Sequence, residues 1–378
     1  MTEPIEVASS PCAMDMTHRL AEQGLAVDRY IHPLSIGSVR LQNNLCLAPM
    51  AGFTNVAFRL IAKEVGGCGL VATEMVAALA RTQPVHDERF RVLTRNVAAE
   101  KPLAMQVYGR DPELCAETAR ALDAAGADII DLNCGCPVKK AKQSGCGVAL
   151  MREPDQVGRI IKAMVAATAK PVTVKIRLGF DNANRTMVAV AQQAVDNGAV
   201  AVFVHARTGE SKHGQAVDLS GVAEVKRAVR VPVIANGSMD TADAIRHAKD
   251  DAGADGYQIG RAACGDPWLF RNLLADLTGS PRYTPSYDER RRLLERHFKL
   301  ILELFGEQRG VRVMRKYTFF YCNGLPGVRA FRDRFHRIAN PAEFHALTED
   351  FFGGLERGLI HGPAEHLTLH ETAESGEE

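Results

Sequence analysis

Val231-Pro-Val-Ile-Ala-Asn236 and Gly256-Tyr-Gln-Ile-Gly260 are short apolar runs that end abruptly in glycine-bearing polar signatures, Asn236-Gly-Ser-Met and Gly260-Arg-Ala-Ala. Six earlier runs share this form: Leu45-Cys-Leu-Ala-Pro-Met50, Gly69-Leu-Val-Ala-Thr-Glu74, Leu103-Ala-Met-Gln106, Asp128-Ile-Ile-Asp-Leu-Asn133, Val172-Thr-Val-Lys175 and Val200-Ala-Val-Phe-Val-His205. They recur about every thirty residues, are bounded by turn residues and are followed by helix-like stretches. That is the pattern of parallel strands buried on both faces and covered by helices. Eight such units predict an α/β chain folded as a (β/α)8 TIM barrel, with the chemistry at the strand C-termini. Met50, Glu74, Gln106, Asn133, Lys175, His205, Asn236 and Arg261 are then expected around one mouth.

A barrel of this kind takes roughly 250 residues, and the chain has 378. The barrel is expected over 31–280, with an opening strand near Gly37-Ser-Val-Arg-Leu41. Its covering helices include Asp111–Ala125, Asp155–Ala169 and Thr186–Asn197, the last stopped by Gly198. Residues 1–30 lack periodicity and read as an extension, with one helical turn around Thr17–Gln23. Pro281 and Pro285 mark a linker. Beyond it, Leu293, Leu294, Phe298, Ile301, Leu302 and Phe305 recur at helical spacing, Gly306 closes that helix, and Phe331, Phe335 and Ile338 mark another. Residues 286–360 therefore read as a small C-terminal helical bundle, and 361–378 as an acidic tail.

With 46% hydrophobic and 24% charged residues the chain is neither disordered nor membrane-like. No apolar run approaches the roughly 20 residues of a membrane span. Nine cysteines in no paired spacing, and no cationic-then-apolar leader, predict reduced thiols in a cytoplasm. A net charge of +1 hides a basic segment. Arg309, Arg312, Arg315, Lys316, Arg329, Arg332, Arg334 and Arg337 stand there against the single acid Asp333.

Four signatures point to chemistry. The glycine turns after the last two strands, Asn236-Gly237-Ser238 and Gly260-Arg261, open into helices and offer backbone N–H groups and a fixed cation to a phosphate. Lys175 and Arg177 share one strand face at the mouth. Two cations there call for an anionic or strongly accepting ligand, although a Schiff-base lysine and a pair snorkelling to solvent are also compatible. In Asn133-Cys134-Gly135-Cys136-Pro137 the turn would push the Cys136 thiol toward the mouth, where a thiol, mostly protonated at neutral pH, can donate a proton. A metal site from Cys134, Cys136 and Cys146 lacks standard spacing, and an inert thiol is the plain alternative. Gln106 and His205 add an amide and an imidazole suited to a heteroaromatic ring with imide-like edges.

Taken in order, Ala48-Pro-Met-Ala-Gly-Phe-Thr-Asn55 with Phe58-Arg59, Met105-Gln106-Val-Tyr-Gly109, Asp131-Leu-Asn-Cys-Gly-Cys-Pro137, Val174-Lys-Ile-Arg-Leu-Gly179, His205-Ala-Arg-Thr208 and Gly260-Arg-Ala-Ala-Cys-Gly-Asp-Pro-Trp268 resemble the tRNA-dihydrouridine synthases, bacterial B type, across roughly residues 35–340. The resemblance implies an FMN-bearing barrel, a helical domain that grips tRNA, and NADPH-dependent reduction of a uridine C5–C6 bond. It implies that Pro49, Met50, Ala51, Gln106, Lys175 and His205 meet the flavin and that Asn236, Gly237, Ser238, Gly260 and Arg261 hold its phosphate. Cys136 matches the family's proton donor; Asn133 and Arg177 match positions facing the base. Arg315, Lys316, Arg329 and Arg332 are the expected tRNA contacts. His213 stands where an aromatic side chain is common, Ser238 replaces a common aspartate, Asp266 a common asparagine, and Ala206 a frequent glycine. No Gly-x-Gly-x-x-Gly fingerprint follows a strand, so NADPH is expected to visit transiently. A monomer with no protein partner is expected. Two other readings remain: an FMN-dependent dihydropyrimidine or dihydroorotate dehydrogenase acting on a free base, and a catalytically idle RNA-binding module.

Overall fold

A computed structural model describes residues 29–78, 88–211 and 214–366. The helical turn expected at Thr17–Gln23, the residue His213 and the tail beyond 366 lie outside the described residues. The eight runs form β3 (Leu45–Leu47), β4 (Val71–Ala77), β5 (Leu103–Tyr108), β6 (Ile129–Cys134), β7 (Val172–Arg177), β8 (Val202–His205), β9 (Val233–Asn236) and β10 (Gly256–Ile259). All pair parallel, each with its chain neighbour, and β10 returns to β3. The seam between β3 and β4 is joined by Leu47 N donating to Leu70 O at 2.8 Å and Gly69 N to Leu45 O at 2.8 Å. The barrel is thereby nearly closed, and a strand edge open to pairing is avoided.

The opening strand is one arm of a two-stranded antiparallel hairpin, β1 (Leu34–Ile36) and β2 (Val39–Leu41), turning at Gly37 with φ +56°. A Cβ at Gly37 would sit 3.0 Å from Pro171, so the turn needs glycine for space as well as conformation. Leu34, Ile36 and Leu41 pack with Cys46, Leu70, Ala72, Ala104, Ile129, Ala201, Phe203 and Ile234 in a core of their own inside the strands. The hairpin therefore corks the N-terminal end of the barrel. A larger outer core lies between strands and helices and continues among the C-terminal helices through Phe298, Phe344 and Phe352.

The covering helices start where side chains meet their first N–H groups. Asn55 accepts from Phe58 N ahead of Val56–Val65, Asp111 from Leu114 N ahead of Pro112–Ala124, and Thr241 from Ala244 N ahead of Ala242–Asp250. Helices Pro154–Ala167 and Met187–Asp196 follow the expected spans within two residues at each end, and Gly198 with φ +104° ends the second. After helix Leu269–Thr278, a Ser286–Glu289 capping box starts Tyr287–Phe305, and Gly306 at φ +72° ends it. Helices Glu307–Met314, Thr318–Cys322, Val328–Phe335 and Pro341–Glu356 complete the chain's helical end. Stacked rings hold these together: Phe298 on Phe344 at 3.8 Å between centroids and Phe331 on Phe351 at 4.2 Å. Among the described residues no helix is long and apolar enough to cross a membrane.

Arg59, fully buried in the first barrel helix, donates from Nε to Glu100 Oε2 at 2.6 Å, from Nη1 to Thr54 O at 2.6 Å and from Nη2 to Arg95 O at 2.8 Å. Glu100 is equally buried and also accepts from Val97 N. Removing one member of such a pair strands the other charge away from water. Glu100→Ala is expected to lower unfolding stability by about 3–5 kcal/mol, measured by urea denaturation against wild type.

Candidate functional site

The strand C-termini surround a cavity of about 450 Å³, within the range usual for small-molecule sites. Pro49, Met50 and Ala51, from the loop after β3, form one wall. Gln106, Asn133, Lys175, Arg177 and His205 come from β5 to β8, and Asn236, Gly237, Ser238, Gly260 and Arg261 from the turns after β9 and β10. Cys136 reaches the same space from the turn after β6. One expected position is displaced. The β4–β5 register shifts between Ala72 and Met75, and this bulge re-aims the strand. Met75 lines the cavity in place of Glu74, whose carboxylate instead accepts from Gly52 N at 2.6 Å.

An oriented chain of hydrogen bonds runs beneath the cavity. Asp131 is buried and accepts from Thr173 Oγ1 and Gln106 Nε2, both at 2.7 Å. A carboxylate that accepts from the Gln106 amide nitrogen turns the Gln106 oxygen toward Asn133, which donates Nδ2 to it at 2.7 Å. That turns Asn133 Oδ1 toward Gly135 N at 3.0 Å and Cys136 N at 2.9 Å. Each amide has only one orientation that satisfies its neighbours. On the other side Arg177 donates from Nε to Gly135 O and from Nη1 to Thr208 O, both at 2.7 Å. The turn carrying Cys136 is thus gripped by Asn133 and by Arg177. Gly147, at φ +60°, lets the next loop close over it, since a Cβ there would lie 2.7 Å from Cys136 O.

Among the described cysteines only Cys136 is not buried. Cys134 and Cys146 are enclosed; burial pushes the Cys134 thiol well above its ordinary value. Lys175 donates to Asn236 Oδ1 at 2.7 Å, and Asn236 passes the polarity on to Gln258 O at 2.7 Å. Burial brings the Lys175 pKa down to about 7, with Asp131 opposing and Arg177 reinforcing the fall. Burial likewise lowers Arg177 to about 10, against the pull of Cys136 and with Arg207 adding to the drop. Burial pushes the Asp131 carboxyl upward, while Gln106, Thr173 and Lys175 hold it down.

Two further guanidinium groups stand in the same cavity. Arg207 and Arg261 both line it, and burial followed by the Arg261 charge lowers the Arg207 pKa. Arg207 donates to Gln215 O at 2.8 Å and to Ser238 Oγ at 3.0 Å, and lies 3.3 Å from His205 Nε2. Gly237 (φ +109°) and Ser238 (φ +52°) form the turn between them. A Cβ on Gly237 would come within 3.0 Å of the His205 ring. Two repelling cations beside a left-handed turn suit a bound dianion.

A sequence profile described as Dihydrouridine synthase (Dus) matches residues 46–354. The chain belongs to the dihydrouridine synthase family. It is 38% identical to the tRNA-dihydrouridine synthase B of Pseudomonas syringae pv. tomato over 84% of this chain and 94% of that one. It is 36% identical to the tRNA-dihydrouridine synthase B of Xanthomonas campestris pv. campestris (86% and 98%) and 34% identical to a probable tRNA-dihydrouridine synthase of Rickettsia conorii (84% and 96%). Among solved structures, TcOYE with pHBA superposes with a TM-score of 0.51 at 11% identity, over 69% of this chain and 96% of that one. That likeness reflects the barrel.

In this dihydrouridine synthase the C-terminal cations do not form one cluster. Arg315 is half-buried and donates to Ile338 O at 2.9 Å, tying the turn after Glu307–Met314 to the loop after Val328–Phe335. Arg329 is exposed and donates to His366 O at 3.2 Å; Arg332 pairs with Asp333 at 3.0 Å. Lys316 turns inward, to Gly52 O. Arg334 meets Asp350 of the last helix at 2.8 Å, an acid that a local count of charges misses. Sequence reasoning gave no role to Asp131, Arg207 or Met75. The first two stand inside motifs noted above, but the partners of Asp131 come from other strands and Arg207 meets Ser238 in the turn after β9.

The low Lys175 pKa predicts a pH dependence for the stability of the unliganded protein. Between about 7 and the ordinary lysine value of 10.5 the unfolded chain binds a proton that the folded chain does not. The Lys175 contribution to stability therefore rises with pH across that window. Urea midpoints across it are expected to climb more steeply for wild type than for Lys175→Met.

Proposed function

We propose that this dihydrouridine synthase is an FMN-dependent enzyme that reduces the C5–C6 double bond of a uridine in the tRNA D-loop, with NADPH as reductant and Cys136 as proton donor. The observation that carries the reading is the Cys136 thiol, not buried and held in a turn at the cavity that also contains Lys175 and the Arg177, Arg207 and Arg261 cations. The residues fit a flavin mononucleotide. Arg207, Arg261 and the Gly237–Ser238 turn suit its phosphate, and Lys175 with Gln106 offers donors to an electron-rich heteroaromatic edge. Met50 and Pro49 supply apolar wall.

When bound, the flavin supplies hydride to C6 of the pyrimidine. The protein must then stabilise the charge that develops toward C5 and O4 and deliver a proton to C5. Arg177, fixed by two backbone carbonyls, presents a cation to the base without reorganising. Asn133 aims the Cys136 backbone, and the thiol delivers the proton. A uridine within folded tRNA has to leave its stack to reach this cavity, and Arg329 and Arg332 on the helical end are suited to phosphates nearby. The three relatives named above are all described as acting on tRNA, which favours this substrate over a free pyrimidine.

The purified protein is expected to be yellow, to release FMN on denaturation, and to form dihydrouridine in unmodified tRNA while leaving free uracil and orotate unchanged. Cys136→Ala is expected to keep its flavin and lose about 10²–10⁴-fold in dihydrouridine formation, assayed on tRNA with NADPH. Arg261→Met should instead weaken FMN binding about tenfold or more, as expected for one lost charge-assisted contact of about 1.5–3 kcal/mol. A colourless protein that takes up no FMN would sink the cofactor assignment.

A further inference from the structure

The cavity wall made by the loop after β3 is held from behind by the helical end of the chain. Past Pro49, Met50 and Ala51 the loop doubles back: Phe53 N and Thr54 N donate to Met50 O at 3.0 and 3.1 Å, and Gly52 takes φ +78°. Both polar groups of Gly52 are gripped. Its N–H donates to Glu74 Oε2 at 2.6 Å, and its carbonyl accepts from the Lys316 ammonium. The neighbouring Tyr317 hydroxyl donates to Phe53 O at 2.7 Å and accepts from Asn55 Nδ2 at 2.9 Å.

These contacts are built into a closed packing. Tyr317 is fully buried, with its ring 5.8 Å from Phe58 and 4.6 Å from His297, and His297 is held 2.7 Å from the Tyr321 hydroxyl. The Lys316 ammonium sits 5.1 Å from the Phe53 ring and 5.0 Å from that of Tyr317, a cation against two π-faces. Its pKa is lowered by burial, with the Glu74 charge opposing. A lysine so engaged has one N–H on the barrel loop and its charge between two rings, and a phosphate would compete with those contacts.

We propose that Lys316 and Tyr317 are positioning residues for the reaction: they act through the loop 49–54, setting where the wall of the cofactor cavity stands, and Lys316 is not a clamp on RNA phosphates. The inference rests on the reading of the cavity as a flavin site. It makes the helical end part of the redox site, so that its effect is present before any RNA binds.

The test uses the full-length holoprotein and the variants Lys316→Gln, Lys316→Arg and Tyr317→Phe. Three quantities are measured: FMN affinity, the rate of anaerobic flavin reduction by NADPH without RNA, and KM for tRNA as a function of salt. Lys316→Gln is expected to weaken FMN binding and slow the RNA-free reduction, each by about tenfold, less than the roughly 10²-fold that a 1 Å misplacement can cost. KM for tRNA and its salt slope stay unchanged, and Lys316→Arg restores most of the loss. Tyr317→Phe is expected to move the same two quantities and serves alone if Lys316→Gln does not fold. RNA-free reduction and FMN affinity at wild-type values, with KM raised and the salt slope shallower by about one, would make Lys316 a phosphate contact and overturn the proposal. If wild type itself takes up no FMN, the cofactor reading falls and this inference with it; if only the variants match wild type, the inference alone falls.

Discussion

A nearly closed parallel barrel has two ends, and here one of them is filled. The hairpin β1–β2 drives Leu34, Ile36 and Leu41 into the strand interior beside Phe203 and Ile234. With that end packed, the opposite rim is where side chains from consecutive strands can converge on an open cavity. Parallel pairing of every strand puts all eight C-termini on that rim, so residues separated by some two hundred positions meet within hydrogen-bonding distance.

The polar floor of the cavity depends on direction as much as on proximity. Asp131 accepts, and Gln106 and Asn133 must therefore pass donors one way along the chain to the backbone of Cys136. Lys175, Asn236 and the Gln258 carbonyl form a second line of fixed polarity. Buried polar groups are costly unless satisfied, and satisfying them in sequence leaves little freedom to the groups that face the ligand. Arg177 and Arg207 are held by backbone carbonyls, so their charge remains available to whatever enters.

The helical end is joined to the barrel by its least exposed surface. Phe58, Tyr317, His297 and Phe320 interlock, Arg296 meets Glu64 at 2.9 Å, and Lys316 reaches the loop that walls the cavity. Its outer helices carry arginines partly offset by acids from their own neighbours, as in Arg334 with Asp350. One helical unit thus has an inner face that supports the barrel and an outer face of mixed charge.

Strand positions, helix caps and glycine turns were legible in the chain because their causes are local. A run such as Val172–Arg177 is buried on both faces, Asp111 caps its own helix, and Gly198 takes a conformation that costs other residues. The cavity residues were legible for the same reason, since each stands at the end of its own run. What the tertiary structure alone decided lies between elements. A bulge in β4 exchanged Glu74 for Met75, because one extra residue reverses which side chain faces inward. The partners of Asp131 come from other strands, Arg207 meets Ser238 from the turn after β9, and the inward turn of Lys316 depends on a carbonyl more than two hundred positions earlier. Local sequence sets which groups are present and where backbone turns, but the sign and satisfaction of a buried charge are settled only by what the fold brings against it.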